Sequence, residues 1–341
     1  MITIAQIGCG YWGPNLLRNL STNPKCHVKW VAEESPQRRI YIETNFPKTQ
    51  ITANWEDIVN DPEVDAVVIA TPASTHYHLT KAVLKAGKHA LVEKPLATST
   101  QEADELVSLA EETGRILMVG HTFLYNSAVR YVKEFIEKDD LGEVYYIYSK
   151  RLNLGQIRSD VNAWWNLAPH DISILLYLMN GELPSSVAAH GIDYIQPGIE
   201  DVVFATLTWE NKVTAHIHVS WLDPGKIRQM TLVGSKKMLI YDDVSDDKIK
   251  ILDKGIDRLP KIGERMDYDN VNNYQLLQRT GDILLPKINF QEPLKIEISH
   301  FLECISENKE SLTGKKHARD VVAILEAGQQ SLKTGIAVKS N

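Results

Sequence analysis

Ile2-Thr3-Ile4-Ala5-Gln6-Ile7-Gly8-Cys9-Gly10-Tyr11-Trp12-Gly13 decides the fold, because it joins an apolar strand to a glycine-rich loop that opens a helix. We expect Gly8 to make the tight turn and Gly10 to let the backbone approach a pyrophosphate. Gly13 would let the helix pack closely on the strand. The first turn of the helix offers free N–H groups to phosphate. The stretch therefore predicts a dinucleotide-binding domain.

The end of the next strand indicates which dinucleotide is bound. Strand 28–32 leads to Glu33, which lies 20 residues beyond Gly13, where an acidic side chain binds the adenosine ribose hydroxyls. A carboxylate there repels the additional phosphate of NADP, so we predict NAD, with NADP less favoured. Glu34 is an alternative ribose ligand, and neighbouring side chains lie close enough to help a phosphate: Ser35, Arg38 and Arg39. Tyr11, Trp12 and Arg38 complete this part of the predicted cofactor site.

Strands and helices alternate up to residue 120, which predicts a Rossmann domain over residues 1–120. The apolar strand 64–70 ends in Thr71-Pro72, and His76 opens the next helix. The strand 89–92 leads into Glu93-Lys94-Pro95. Ligands bind at the carboxyl ends of parallel strands, so we predict cofactor contacts from five residues: Thr71, Pro72, His76, Glu93 and Lys94. For Lys94 the alternative is an ordinary surface lysine.

The pattern changes after residue 121. Side chains alternate with period two in 144–151, and further strands are expected at 192–195, 202–209, 213–221 and 229–233. Helices are expected at 127–138, 172–179, 295–306 and 318–334. We predict an α+β domain over residues 121–341 with a large, mostly antiparallel open sheet that carries helices on one face. Four aromatic residues are expected to pack in the sheet: Tyr145, Tyr146, Trp209 and Trp221. The other face suits self-association, as a homodimer or homotetramer.

Composition narrows the class of protein. The 341 residues are 43% hydrophobic and 24% charged, with a net charge of -7 and no long basic run, so nucleic acid and membrane are poor partners. Three scattered cysteines do not make a disulfide framework or a zinc site, which favours a reducing cytoplasm, and no signal peptide is expected. His216 and His218 share a strand face but lack a third ligand, so no metal is predicted.

A second group of polar residues lies in Asn162-Ala163-Trp164-Trp165-Asn166-Leu167-Ala168-Pro169-His170-Asp171, which we expect to open a helix. His170 would lie near the helix start, where Asp171 and free backbone groups orient it. A neutral imidazole suits a general base near neutral pH. The alternative is a capping or buried structural histidine.

These motifs in this order resemble the Gfo/Idh/MocA family of NAD(P)-dependent sugar oxidoreductases. The resemblance covers essentially the whole chain and implies a substrate between the two domains, against the nicotinamide. It makes Lys94 and His170 the catalytic residues. Many members have aspartate four residues before the histidine, where this chain has Asn166, an amide that cannot take a proton. His121 is given no firm role.

Residues 292–302 resemble the branch that acts on nucleotide-activated sugars. The resemblance implies oxidation at carbon 3 of a UDP-N-acetylhexosamine or its uronic acid, in cell-envelope polysaccharide biosynthesis. The keto product would suit a PLP-dependent aminotransferase. The alternatives are a keto-sugar reductase, an inositol-type polyol dehydrogenase, a methyltransferase and a non-enzymatic dinucleotide-sensing regulator. The expected substrate contacts are Arg151, Arg158, Asn162, Trp165, Asn166, His170 and Asp171.

Overall fold

The first sheet is parallel and six-stranded. The computed structural model describes residues 1–260 and 274–340. The strands of the first sheet run in the order β3-β2-β1-β4-β5-β6, and every neighbouring pair is parallel. Strands and helices alternate along the chain: β1 Ile2–Ile7, α1 Gly13–Thr22, β2 Cys26–Ala32, α2 Pro36–Asn45, β3 Gln50–Thr52, α3 Glu56–Asn60, β4 Ala66–Ile69, α4 Ala73–Lys85, β5 His89–Val92, α5 Thr100–Thr113 and β6 Leu117–Val119.

This sheet confirms the predicted Rossmann fold. All four residues of β4 are buried, as expected for a strand covered by helices on both faces. Ser99 caps α5 by accepting a hydrogen bond from the backbone N–H of Glu102, and Gly114 ends the helix in the left-handed conformation. The short β3 and the whole of α2 were not predicted. The carboxyl ends of the strands meet at one edge, where the cofactor residues were expected.

The second sheet is eight-stranded and mostly antiparallel, as predicted. Its order is β14-β13-β12-β11-β7-β10-β9-β8, and β7 with β10 is the parallel pair. After a 3₁₀ turn at Thr122–Tyr125 come α6 Ser127–Glu137, β7 Val144–Leu154, α7 Ala163–Leu178, β8 Ser186–Ile192, β9 Val202–Thr208, β10 Thr214–Ser220, β11 Leu222–Gly234, β12 Met238–Asp242, β13 Ile249–Pro260, β14 Tyr274–Leu284, α8 Pro293–Glu307 and α9 Lys315–Thr334. Within the described residues, no helix is long and apolar enough to cross a membrane.

Helices cover one face of this sheet. Ile147 and Ile217 are buried against them, while Phe204 and His216 on the neighbouring strands are exposed on the other face. Trp209 and Trp221 are buried, as predicted. Tyr145 and Tyr146 are 52% and 42% exposed, and the Tyr146 ring stacks on that of Tyr148 at the neighbouring position of the same face.

Two predicted elements have different bounds. Helix α7 begins at Ala163 rather than at 172, because the side chain of Asn162 accepts a hydrogen bond from the Trp165 N–H and caps it there. His170 therefore lies in the middle of the helix. Strand β8 ends at Ile192, where the strand 192–195 was expected to begin. Beyond it, the carboxylate of Asp201 accepts a hydrogen bond from the N–H of Ile195 and stabilises a loop. Strands β12–β14 were not predicted.

Helix α9 fixes the position of α7. The indole N–H of Trp164 donates a hydrogen bond of 2.8 Å to the carbonyl oxygen of Leu325, and its ring lies against Gly328. A Cβ added to Gly328 would lie 2.5 Å from the indole ring. Glycine is thus required for the close approach of the two helices.

We expect Gly328→Ala to lower the free energy of unfolding. Alanine stabilises a helix by about 1 kcal/mol relative to glycine. Overpacking against a rigid indole costs about 1–3 kcal/mol, so the net effect is a loss. The measurement is the urea midpoint at unchanged m-value. Gly10→Ala is the matched control, because nothing lies within 4 Å of its added Cβ. Equal midpoints for the two variants would contradict this account of the helix contact.

Candidate active site

The side-chain amide of Gln6 and the backbone conformation of Gly8 hold the glycine loop in place. Gly8 has a φ of +88°, and a Cβ there would lie 2.6 Å from the carbonyl oxygen of Ala70, so glycine is required. The side-chain amide of Gln6 donates to the carbonyl oxygens of Gly8 and Gly13, at 2.8 and 3.1 Å. These bonds fix the turn between β1 and α1 before any ligand binds.

The space above the loop suits a dinucleotide. Nothing lies within 4 Å of a Cβ built on Gly10, so the backbone is open to a phosphate at that point. Tyr11 and Trp12, at the start of α1, are 92% and 39% exposed and form the rim. The free N–H groups of the first helical turn and the open backbone fit the pyrophosphate of NAD.

Glu33 contacts the glycine loop directly. One carboxylate oxygen accepts a hydrogen bond of 2.6 Å from the N–H of Cys9, and the other accepts 2.9 Å from the N–H of Ser35. The guanidinium of Arg39 donates to the carbonyl oxygens of Glu33 and Glu34, whereas Arg38 is exposed. The structure thus places Glu33, rather than the exposed Glu34, at the end of β2 beside the loop.

His76 connects two loops at the predicted cofactor site, and its contact with the cofactor stays a prediction. The side chain is 1% exposed, with Nδ1 2.6 Å from the carbonyl oxygen of Pro95 and Nε2 2.9 Å from that of Thr71. Burial lowers the pKa of the imidazole. With a carbonyl oxygen beside each ring nitrogen, His76 lies between Thr71-Pro72 and Lys94-Pro95 and positions the two loops relative to each other.

Glu93 and Lys94 follow β5 at the domain junction. The Lys94 ammonium donates a hydrogen bond of 2.9 Å to the carbonyl oxygen of Asn166 on α7. Burial lowers the pKa of Lys94 to about 8, against the opposing effect of Glu93. Burial also raises the pKa of Glu93 to about 7, while Lys94 lowers it. The Lys94–Pro95 peptide bond is cis. Lys94 is thus a partly desolvated cation rather than a surface lysine.

His170 lies one helical turn beyond Asn166. Its ring contacts Phe123 edge-to-face, with centroids 5.1 Å apart. Its Nδ1 is buried and has no hydrogen-bond partner among the residues that the structure describes. Burial and the charge of Lys94 lower its pKa well below the usual value. A neutral imidazole near an ammonium can accept a proton from a hydroxyl group bound between them.

Arg151 and Asp171 are paired with each other, which corrects the expected orientation of His170 by Asp171. Arg151 Nε donates to Asp171 Oδ2 at 2.7 Å, and Ser149 Oγ donates to Oδ1 at 2.6 Å. Both charged groups are buried. The guanidinium also lies 4.7 Å from the Phe123 ring centroid, so the pair positions the ring that contacts His170.

The side-chain amide of Asn162 also forms its hydrogen bonds within the protein. Besides capping α7, it donates to Glu200 at 2.7 Å and to Gln329 at 2.8 Å. The side chain is 8% exposed. The structure therefore gives Asn162 a capping and bridging position beneath the expected substrate site.

A cavity of about 910 Å³ lies between the domains. Thr71, Lys94 and Asn166 line it, together with Trp165 and Arg158; His170 is not among its lining residues. Arg158 forms a bidentate ion pair with Asp160, at 2.6–2.8 Å. Helix α9 also contributes lining residues, which were not predicted: Arg319, Glu326, Gln329, Gln330 and Lys333. In the sequence, polar residues at intervals of three or four positions indicate this polar face of the helix. Among the described residues, no group of three or more His, Cys, Asp or Glu could hold a metal ion.

The chain is similar in sequence to proteins named as oxidoreductases and in fold to a solved structure. The chain is 24% identical to the uncharacterized oxidoreductase YrbE of Bacillus subtilis, over 99% of this chain and 96% of that protein. It is 30% identical to UDP-N-acetylglucosamine 3-dehydrogenase of Acidithiobacillus ferrooxidans, over 59% of this chain and 62% of that enzyme. The crystal structure of GenD2 from gentamicin A biosynthesis, in complex with NAD, superposes with a TM-score of 0.82 at 21% identity. That match covers 100% of this chain and 96% of GenD2.

Two family models match consecutive parts of the sequence. Residues 2–121 match the oxidoreductase family with the NAD-binding Rossmann fold, and residues 129–240 match the Gfo/Idh/MocA C-terminal domain. The first match spans the glycine loop and Lys94, and the second spans α7 with His170. The chain therefore belongs to the Gfo/Idh/MocA family of NAD-binding oxidoreductases.

Proposed function

We propose that this oxidoreductase oxidises a ring hydroxyl of a nucleotide-activated sugar by removing hydride from the carbon that bears it, carbon 3 of a UDP-N-acetylhexosamine. The observation that carries the proposal is the hydrogen bond of the desolvated Lys94 ammonium to the carbonyl oxygen of Asn166, one helical turn before the neutral imidazole of His170 on α7. When bound, the nicotinamide supplies the hydride acceptor. The protein positions the substrate, stabilises the negative charge that develops on its oxygen and accepts the proton.

The two groups divide the chemistry at one oxygen. His170 takes the hydroxyl proton, since its lowered pKa keeps it neutral at physiological pH. Lys94 donates a hydrogen bond to the same oxygen and stabilises negative charge as the carbonyl forms. Its bond to the carbonyl oxygen of Asn166 holds the ammonium beside α7 and leaves two of its protons for ligands. Asn166 itself is held, because its side-chain oxygen accepts a hydrogen bond from Trp221.

The size and lining of the cavity support a large anionic substrate. About 910 Å³ lies at the upper end of the range for ligand sites, which leaves room for a large substrate beside the nicotinamide. The exposed lysines Lys333 and Lys339 line its outer part and suit a diphosphate. Trp165 has an exposed portion there for a sugar or base, with its indole N–H donated to Gln329. The relative named UDP-N-acetylglucosamine 3-dehydrogenase supports the same substrate class.

Two further parts of the proposal concern partners. The open sheet face carries Tyr146 stacked with Tyr148 and Phe204 stacked on His218, which supports assembly into a homodimer or homotetramer through that face.

A 3-keto product has the carbonyl that a PLP-dependent aminotransferase accepts, which supports a role before amination in cell-envelope polysaccharide synthesis. The enzyme would act in the cytoplasm, where nucleotide sugars and NAD are available.

The alternatives differ in what they require of the site. A dinucleotide-sensing regulator needs neither Lys94 nor His170, so the presence of both beside the domain junction favours an enzyme. A keto-sugar reductase or a polyol dehydrogenase would use the same two groups. A panel of nucleotide sugars and polyols separates these possibilities.

We expect NADH formation with UDP-N-acetylglucosamine or its uronic acid. The measurement is absorbance of the reduced cofactor, with and without 2-oxoglutarate as an acceptor that recycles the bound nicotinamide. Free N-acetylglucosamine and inositols are the matched controls, because they lack the diphosphate that Lys333 and Lys339 would bind. Faster turnover with an inositol than with either nucleotide sugar would contradict the proposed substrate.

Lys94→Ala should lower kcat by about 10²–10³-fold, because one donor to the developing oxyanion is removed. The dissociation constant of NAD should stay unchanged. Raising the pH should lower kcat of the wild type above pH about 8, where Lys94 loses its proton. His170 should contribute no change of rate above pH 6.5, since its pKa lies well below the usual value, and a change between pH 6.5 and about 8 would report Glu93, whose pKa burial raises to about 7.

Lys94→Arg is the control for this pH effect, because guanidinium stays protonated in that range. The residual activity of this variant should show no decline near pH about 8. A decline of equal size in the variant would assign the titration to another group.

Glu33→Gln should weaken the preference for NAD over NADP. Glutamine keeps an oxygen for the N–H of Cys9 but removes the charge that repels the 2′-phosphate. The measurement is the ratio of kcat/KM for the two cofactors. Glu34→Gln is the matched control and should leave the ratio unchanged, since that side chain is exposed. If the ratio moves in the control instead, Glu34 is the ribose ligand.

A further inference from the structure

Helix α9 presents the side chain of Gln329 to the cleft in a fixed orientation. Its oxygen accepts a hydrogen bond of 2.8 Å from the side-chain amide of Asn162 and one of 3.1 Å from the indole N–H of Trp165. These two donors occupy both lone pairs of the oxygen. Gln329 is half-buried and lines the cavity of about 910 Å³ between the domains, together with Lys94. The NH₂ end of its amide is thus the part left for a ligand.

The surrounding groups permit only this orientation of the Gln329 amide. An indole N–H can only donate a hydrogen bond, so the atom beside Trp165 must be the oxygen. The Asn162 amide is fixed as well, because it donates to Glu200 at 2.7 Å and its oxygen accepts a hydrogen bond of 3.0 Å from the backbone N–H of Trp165. Reversing Gln329 would bring its NH₂ group against two other donors and leave all of them unpaired. The network therefore fixes the NH₂ group as the free end.

The free end of Gln329 can only donate. Its NH₂ group carries two N–H donors and no acceptor, and it has no hydrogen-bond partner within residues 1–260 and 274–340. A pure donor is best matched by an oxygen that can only accept, such as that of an amide carbonyl, whereas a hydroxyl group also has a proton to place. The chemistry of Gln329 therefore favours a carbonyl or carboxylate oxygen on the ligand.

The contacts of Trp165 place this donor near the proposed reacting oxygen. Trp165 directly precedes Asn166, whose carbonyl oxygen accepts the hydrogen bond from the Lys94 ammonium. All three residues line the same cavity as Gln329. When the hydroxyl group on carbon 3 reacts beside Lys94, the nearest substituents are those on the adjacent ring carbons. In an N-acetylhexosamine, carbon 4 carries a hydroxyl group and carbon 2 carries the acetamido group with its acceptor oxygen.

We propose that Gln329 is a specificity-determining residue that donates a hydrogen bond to the acetamido carbonyl oxygen of the sugar. The inference rests on the proposed function, because it takes an N-acetylhexosamine oxidised at carbon 3 as the substrate. A hexose without the acetamido group has only a hydroxyl group on carbon 2, which is shorter and does not reach the position of the carbonyl oxygen. Gln329 therefore selects N-acetyl sugars over their plain counterparts, while Lys94 and His170 carry out the chemistry on either.

The test compares UDP-N-acetylglucosamine with UDP-glucose as substrates of the full-length enzyme with NAD. The wild type should prefer the N-acetyl sugar in kcat/KM by about tenfold, the factor that one hydrogen bond contributes. Gln329→Glu keeps an oxygen for Asn162 and Trp165 but has no N–H for the ligand, so it should lose this preference. The change should appear in KM with kcat nearly unchanged, since the hydrogen bond is the same in the ground state and in the transition state.

Two further variants control for charge and for folding. Gln329→Met removes the donors without adding charge, and it should lose the preference as well, so the test does not depend on the glutamate being tolerated. Gln330→Glu places the same charge on the next residue of the cavity lining, and it should keep the wild-type ratio of the two sugars. Dissociation constants of both nucleotide sugars, measured by calorimetry in the presence of NADH, should show the same ratios. A purely structural role of Gln329 would weaken both sugars equally.

Equal kcat/KM for the two sugars in the wild type would overturn the inference, and so would an unchanged ratio in both Gln329 variants. A loss seen only with UDP-N-acetylglucosaminuronate would also overturn it, because it would assign the donor to the carboxylate of the sugar. Failure of the proposed function is seen separately, before any variant is made, as faster oxidation of an inositol than of either nucleotide sugar. That result would remove both proposals, whereas the ratio in the variants tests Gln329 alone.

Discussion

The hydrogen bond from the Lys94 ammonium to the carbonyl oxygen of Asn166 is the interaction on which the site depends. It joins the carboxyl end of β5 to the second turn of α7 and so fixes the position of Lys94 relative to His170. Its geometry rests in turn on the indole of Trp164, which fits against Gly328 and holds α7 to α9. The reacting groups are therefore positioned by helix packing in one domain and by a strand end in the other.

The parts that could be predicted from sequence are those set by local rules. The glycine loop, the buried parallel strands and the caps of α5 each follow from residues near one another in the chain. The position of Lys94 at the edge of the sheet followed from the alternation of strands and helices. The distance of Glu33 from Gly13 likewise predicted a carboxylate beside the loop, where the structure places it.

What could not be predicted depends on contacts between distant residues. Nothing in the local pattern indicates that Arg151 and Asp171 pair with each other, because β7 and α7 are brought together only by the folded sheet. The same holds for His317, which meets His121 across nearly two hundred residues. Helix α9 shows a polar face in the sequence, but its position in the cleft comes from the packing of Trp164.

The balance of charge explains why asparagine at position 166 is compatible with the proposed chemistry. Burial has already lowered the pKa of Lys94 to about 8, with Glu93 as the carboxylate that opposes this effect. An aspartate at 166 would add a second negative charge, raise the pKa of Lys94 and hold its proton more firmly. With an amide at position 166, the Lys94 ammonium can stabilise negative charge on the substrate oxygen. The proton is then left to His170, whose low pKa favours passing it on over keeping it.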